Sequence, residues 1–401
     1  MSPTCTQTLS KIILMPDNRS KRKYLYGVDL MRLLFIVGVL TIHTSTQFTF
    51  KFSIGSAPFL LLSAFHMPMH FTRMGFMFVS GLVLFLNSYR RPMHLLSFWK
   101  RRYFWVLIPY FFWNIFYHFL AHYPEKILTS NWWLQYWHLL IHGSGYYMYF
   151  LLIMLQLYLL YPLLRLLLKK TEGKHLQVFF YAFAIEILIT VFTKFVMPHL
   201  STSNWPYLLQ SYGMFVLTYE GYFIAGALAG IHYEAVEKWI VANIKKIFIA
   251  ALIGIPVIFA YYFYNVNLLH LSYSKAYEVH QPLIVVYAFI IIANIFYVGH
   301  LYDQLVISNK HPKFVAFISK AQKIAFGLYL SQTVALTILD LILEQVTTNS
   351  AWLWLIWPVA TLAVIAFSGL LCWTIYNTPV AHYVIGRPLN QRNKWKSTSH
   401  N

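Results

Sequence analysis

The sequence predicts an all-α, polytopic membrane protein of about ten transmembrane helices with both ends in the cytoplasm. Three observations carry this. Hydrophobic residues make up 59% of the chain and charged residues only 11%, whereas soluble domains run near a quarter charged. The apolar residues gather into ten runs, at about 26–46, 71–87, 103–121, 146–168, 176–196, 208–230, 247–264, 283–299, 324–343 and 351–375, each near the length a helix needs to cross a bilayer. With the N-terminus inside, 25 of the 31 Lys and Arg fall on the cytoplasmic side, and only Lys51, Arg73, Lys126, Lys194 and Lys275 fall on the other. That asymmetry is the positive-inside rule at high contrast. The net charge of +19 therefore orients the protein and meets anionic lipid or CoA phosphates; it does not indicate nucleic acid.

Taken in order, residues 1–24 are a polar, basic cytoplasmic tail, 25–380 a single transmembrane domain, and 381–401 a cytoplasmic tail. The basic stretch Lys21–Lys23 runs into a full-length apolar span without a small-residue cleavage site, so the first span is expected to stay in the membrane. Residues 57–70 are apolar but precede a run that already spans alone. Either they lengthen that helix or they lie in the outer interface, and the interface is the reading preferred. Loops 122–145 and 265–282 are rich in Trp, Tyr and His, the composition of an interfacial belt. Segment 300–323 mixes apolar and basic positions and is expected to lie along the inner face. Cys5 and Cys372 fall on the tail and in the last span, so they cannot pair, and neither shows a nearby base. No internal repeat is visible, which weakens a secondary-transporter reading.

The chemistry concentrates in the first span, where Arg32 and His43 are eleven residues apart. Eleven residues is three helical turns, so both share one face, about 16 Å apart along the axis. Ionisable residues inside a span are functional candidates by default. Asp29, three residues before Arg32, is placed to pair with it; Arg32 is then either its structural partner or a group that orients an active site. His43 has the chemistry to take a hydroxyl proton near neutral pH.

Other candidates carry two readings each. Arg73 starts the second run on the outer side, level with His43; it either binds an oxyanion or acyl carboxylate or snorkels to the interface. Glu186 and Glu220 lie inside predicted helices, as structural hydrogen-bonding groups or as the lining of a polar acceptor channel. Tyr329 and Gln332, three residues apart, share a face that can line a substrate pocket. Lys100, Arg101 and Arg102 are inner-side anchors or contacts for CoA phosphates. Ser80-Gly81 suits close helix packing. His66 and His70 have metal-ligand spacing without a third ligand, and no metal is assigned. There is no His-Glu-x-x-His, Gly-x-Ser-x-Gly or phosphate-loop motif.

Four stretches in order resemble a known family. Arg32-x10-His43 matches the first-helix pattern of acyltransferase family 3, the integral membrane O-acyltransferases of bacterial envelopes. Arg73 to Gly81 is similar to its second-helix run, Lys100-Arg101-Arg102 followed by Pro109-Tyr110 to its basic inner loop and third helix, and Ala325-Phe-Gly327-Leu-Tyr329-Leu330 to its late Gly-x-Tyr-Leu motif. The likeness covers about residues 24–380. Within the family, His43-Thr-Ser-Thr-Gln47, Gly145 to Phe150 and Val384-Ile-Gly386-Arg-Pro388 resemble members that act in poly-β-1,6-N-acetylglucosamine biosynthesis, described both as exporters and as O-succinyltransferases. The resemblance implies transfer of an acetyl or succinyl group from a cytoplasmic acyl-CoA, a donor substrate and not a resident cofactor, to a hydroxyl of a cell-surface polysaccharide. His43 would be the base, with Arg32 and Asp29 near the donor and Arg73 near the acyl group. A polysaccharide synthase is the expected protein partner, and the bacterial cytoplasmic membrane the expected location. Where many members follow Tyr-Leu with a His, this chain has Gln332, which hydrogen-bonds but does not shuttle a proton at neutral pH, so His43 acts alone. The rival reading is an exporter whose intramembrane charges line a conduit.

Overall fold

The computed structural model describes residues 24–122, 129–143, 145, 147–347 and 352–386; the two tails expected at 1–24 and 381–401, and Cys5 with them, lie largely or wholly outside these. The described residues form helices and no strand. Among them, nine helices are long and apolar enough to cross a membrane, and a shorter apolar stretch covers Val216–Ile231. The chain is a multi-pass membrane protein.

Helix α1 (Tyr26–Thr49) is the hub. Apart from the Asp29–Arg32–His43 stripe it is apolar, and buried residues fall all round it, the mark of a helix enclosed by others rather than amphipathic at a surface. Its neighbours are α2 (Ala57–Met69), α3 (Phe71–Ser88), α10 (Pro282–Ile307), α11 (Pro312–Glu344) and α12 (Leu353–Tyr376). At its inner end the Gly27 amide donates to Asp303 Oδ1 at 3.1 Å, giving one of the unpaired first-turn N–H groups an acceptor.

The outer-interface expectation for residues 57–70 is corrected here. Helices α2 and α3 run on as one 32-residue stretch, Ala57–Ser88, with only a tightened turn at His70, whose backbone stays helical. Phe59, Leu62, Ala64 and Met67 are buried between α1 and α9 (Tyr233–Asn267), so α2 is the outer half of a bent span. A proline at position 68 reads as a break, but tertiary packing on both faces holds the helix through it.

The expected span at 208–230 is also different. Helix α8 (Glu220–Ile231) has only twelve residues, and 3-10 turns at Tyr212–Met214 and Val216–Tyr219 precede it. Irregular backbone at membrane depth needs protein partners for its polar groups. Here Glu186 of α7 (His175–Val191) reaches across, and its Oε2 accepts from the Gly221 amide at 3.1 Å, capping the broken helix. Close packing completes the arrangement: a Cβ on Gly226 would lie 1.9 Å from Phe78 O, and one on Gly81 2.2 Å from Phe223 O. Small residues that let helix backbones touch are the usual means of helix association in lipid, and Gly81 serves that purpose.

One further expectation changes, and one loop proves to be partly helical. Segment 300–323 does not lie along the inner face: α10 extends to Ile307, α11 begins at Pro312, and the turn between them carries left-handed Asn309 and His311. Loop 122–145 contains helix α5 (Ser130–His142), which buries Trp132, Tyr136 and Leu140 and leaves Trp137 and Ile141 exposed. The remaining helices, α4 (Leu95–His122) and α6 (Tyr149–Lys170), wall the site described next.

Candidate active site

Arg32 and His43 open onto the same cavity. It measures about 320 Å³, and Arg73, Tyr147, Tyr158 and Tyr329 also border it. The three-turn spacing inside α1 places the two residues at different depths of this one space, about 16 Å apart. The rings of Phe76 and Phe150, 5.7 Å apart, form an apolar part of its wall, and Phe150 packs in turn on Tyr329 at 5.6 Å.

At the inner end, Arg32 is held 3.7 Å from Asp29 with its side chain 39% exposed. Asp29 accepts from the Tyr24 hydroxyl at 2.5 Å, and burial together with this bond raises the Tyr24 phenol above its ordinary range. The pair is thus a braced charge at the cavity mouth, with Asp29 behind it rather than in the wall. Of the three basic residues expected to meet CoA phosphates, Arg102 comes nearest: its guanidinium lies 5.6 Å from the centre of the Tyr158 ring, and that ring borders the cavity. Lys100 and Arg101 are exposed on α4.

Arg73 is not at an outer end. It lies near the midpoint of the Ala57–Ser88 stretch, and its neighbour Thr72 packs on Gly38, between Arg32 and His43 in depth. Its Nη1 donates to Tyr219 Oη at 3.3 Å, and its guanidinium stands 4.9 Å over the Tyr149 ring. Among the described residues no carboxylate lies within ion-pair distance of it. A cation this deep without a carboxylate partner is costly, which makes Arg73 a candidate to meet an anionic or strongly dipolar ligand.

At the outer end, His43 Nδ1–H donates to Gln332 Oε1 at 3.0 Å, and the Tyr147 ring stacks on the imidazole at 3.8 Å. Tyr147 has a left-handed backbone, φ 63°, and its carbonyl accepts from the Tyr329 hydroxyl. His66 and His70 do not converge. His66 Nε2–H donates to Ser45 Oγ at 2.7 Å, since that hydroxyl itself donates to Ile42 O, while His70 Nε2–H donates to Tyr277 O at 2.6 Å. Among the described residues no group of three or more metal-ligating side chains is present.

The structure therefore gathers Arg32, His43, Arg73 and Tyr329 around one cavity, with Gln332 behind His43. Glu186 and Glu220 do not border it: Glu186 caps α8, and Glu220 is that helix's first residue. Sequence reasoning gave neither Tyr147 nor Tyr158 a role at the site; for Tyr147 the aromatic run 146–150 was the available signal, and only its position against His43 gives it meaning.

No curated protein and no solved structure matches the chain. A family model, described as an acyltransferase domain, matches residues 25–376. Those residues include the whole cavity, and the chain belongs to acyltransferase family 3.

Proposed function

We propose that the protein transfers an acetyl or succinyl group from cytoplasmic acyl-CoA to a hydroxyl of a cell-surface polysaccharide, as a multi-pass enzyme of the bacterial cytoplasmic membrane. The observation that carries this is the single cavity bordered by Arg32 near its inner end and by His43 near its outer end. An extended donor arm suits such a space, its phosphates left among Arg32, Arg102 and the neighbouring basic residues and its thioester carried along the apolar Phe76–Phe150 wall. A volume of about 320 Å³ is on the scale of a small-molecule site and small for a polymer conduit.

In this reading His43 Nε2 takes the proton of the acceptor hydroxyl as its oxygen attacks the thioester carbonyl. Arg73 holds the negative charge that develops on the carbonyl oxygen, or, for a succinyl donor, the distal carboxylate. The carbon–sulfur bond then breaks, the proton passes from His43 to the sulfur, and the products are an ester and free CoA. The stretches around His43 and Gly145–Phe150 favour a glycan of the poly-β-1,6-N-acetylglucosamine type, as in intercellular adhesion protein C, with the polymer's synthase as neighbour.

Mass spectrometry of the envelope polysaccharide from cells carrying His43→Ala tests the reading. The expected result is loss of the O-acyl mass while polymer still reaches the surface. Loss of surface polymer with its acyl content intact would favour the exporter instead.

A further inference from the structure

The buried amide of Gln332, a residue outside the cavity wall, meets the imidazole of His43 at Nδ1. Gln332 is completely buried and does not border the cavity. Its Oε1 accepts from His43 Nδ1 at 3.0 Å, and its Nε2 has no hydrogen-bond partner among the described residues. The amide is thus held by its helix. That turn of α11 is fixed from three sides: Tyr117 Oη donates to Leu330 O at 2.7 Å, Ser331 Oγ lies 3.0 Å from Cys372 Sγ, and the Tyr329 hydroxyl donates to Tyr147 O. Through Tyr147 the same turn also reaches the flat face of the imidazole, where the two rings stack at 3.8 Å and 19°. One helical turn therefore grips His43 by an edge and by a face.

We propose that Gln332 is a positioning residue that selects the tautomer of His43. A neutral imidazole carries its proton on one nitrogen and its lone pair on the other, and the bond one nitrogen makes decides which. With Nδ1–H given to Gln332, the lone pair is left on Nε2, toward the cavity. A carboxylate would select the same tautomer but would place a negative charge inside the membrane; an amide supplies the acceptor without the charge. The proton of the acceptor hydroxyl is taken up at Nε2 and leaves from Nε2 to the thioester sulfur as the carbon–oxygen bond forms and the carbon–sulfur bond breaks. Nδ1–H stays on Gln332 throughout. Arg73, His66 and the Tyr147 phenol stacked on the ring are the other charged or titratable groups that face it.

This inference rests on the base role of His43, and its test separates the two. Purified protein in lipid nanodiscs is given acetyl-CoA or succinyl-CoA and an oligo-β-1,6-N-acetylglucosamine acceptor, and thiol release is followed against pH. Gln332→Leu should keep the unfolding temperature and the donor KM but lower kcat on the order of 10²-fold, the usual effect of a misoriented catalytic group. Gln332→Glu keeps an acceptor at Nδ1; it should recover most of that rate and move the acid limb of the pH–rate profile to higher pH. If Gln332→Leu stays within about twofold of the native rate, or if both variants are equally slow with the native pH profile, Gln332 is only packing. Full activity in His43→Ala overturns the base role itself, whatever Gln332 does.

Discussion

Thr72 of α3 fills the notch that Gly38 leaves in α1: a Cβ on Gly38 would lie 2.4 Å from Thr72 Cγ2. That contact sets the depth of the next residue, Arg73, eleven residues of α1 beyond the Gly27 end, about 16 Å into the span. The guanidinium is then steadied by the Tyr149 ring and the Tyr219 hydroxyl rather than by a carboxylate, which leaves its charge available to a ligand.

Arg73→Lys and Arg73→Gln separate charge from shape. Lys keeps the charge but loses the planar face that lies over Tyr149, and the expected fall in kcat is about tenfold. Gln loses the charge, and a fall on the order of 10²–10³ is expected, the usual effect of removing one group that stabilises an oxyanion. Steady-state acyl transfer with each variant checks this. Equal rates in native protein and Arg73→Gln would make Arg73 a structural cation.

The pairing of Arg32 with His43 was legible because it needs only the 3.6-residue period and one apolar run. The Asp29–Arg32 pair was legible for the same reason. Arg73 was misplaced because residues 71–87 are long and apolar enough to span alone, while the packing that extends their helix back through Pro68 to Ala57 comes from α1 and α9. The break before α8 was hidden because residues 208–230 are continuously apolar: composition reports depth, not whether the backbone stays helical. The contact between His43 and Gln332 spans 289 residues and has no local signature. Glu186 was visible as an anomaly, but its partner, the Gly221 amide, exists only once α8 starts where it does.

Lys194 gives a stability prediction away from the cavity. It sits in a π-helical turn, Phe192–Val196, at the outer end of α7, and its Nζ donates to Tyr261 Oη, Asn265 Oδ1 and Gln281 Oε1 at 2.6, 2.6 and 2.8 Å. All three donor hydrogens are used, and the partners belong to α9 and the start of α10, so the ammonium pins three elements together. Lys194→Met fills similar volume but strands buried acceptors, and a loss on the order of 2–3 kcal/mol is expected. Unfolding temperature in nanodiscs should fall, while kcat per folded molecule stays native. An unchanged unfolding temperature would show that the cage contributes nothing net.

His232 gives a pH prediction at the inner face, between α8 and α9. His175 Nε2–H donates to Leu168 O at 2.8 Å, so its Nδ1 is an acceptor, and His232 Nε2–H donates to it at 2.7 Å. Burial above all, with the nearby Arg90 charge adding to it and Glu172 opposing it, pushes His232 down to about 4. An unfolded histidine takes up its proton near 6.5. Below that pH the unfolded chain binds a proton that folded His232 refuses until about pH 4, so stability is full above 6.5 and falls as pH drops toward 4. Native protein should therefore unfold several degrees lower at pH 5 than at pH 7. His232→Asn keeps an N–H donor for His175 and cannot titrate, so its unfolding temperature should fall less over the same interval. The same pH dependence in both proteins would move the acid sensitivity to another group.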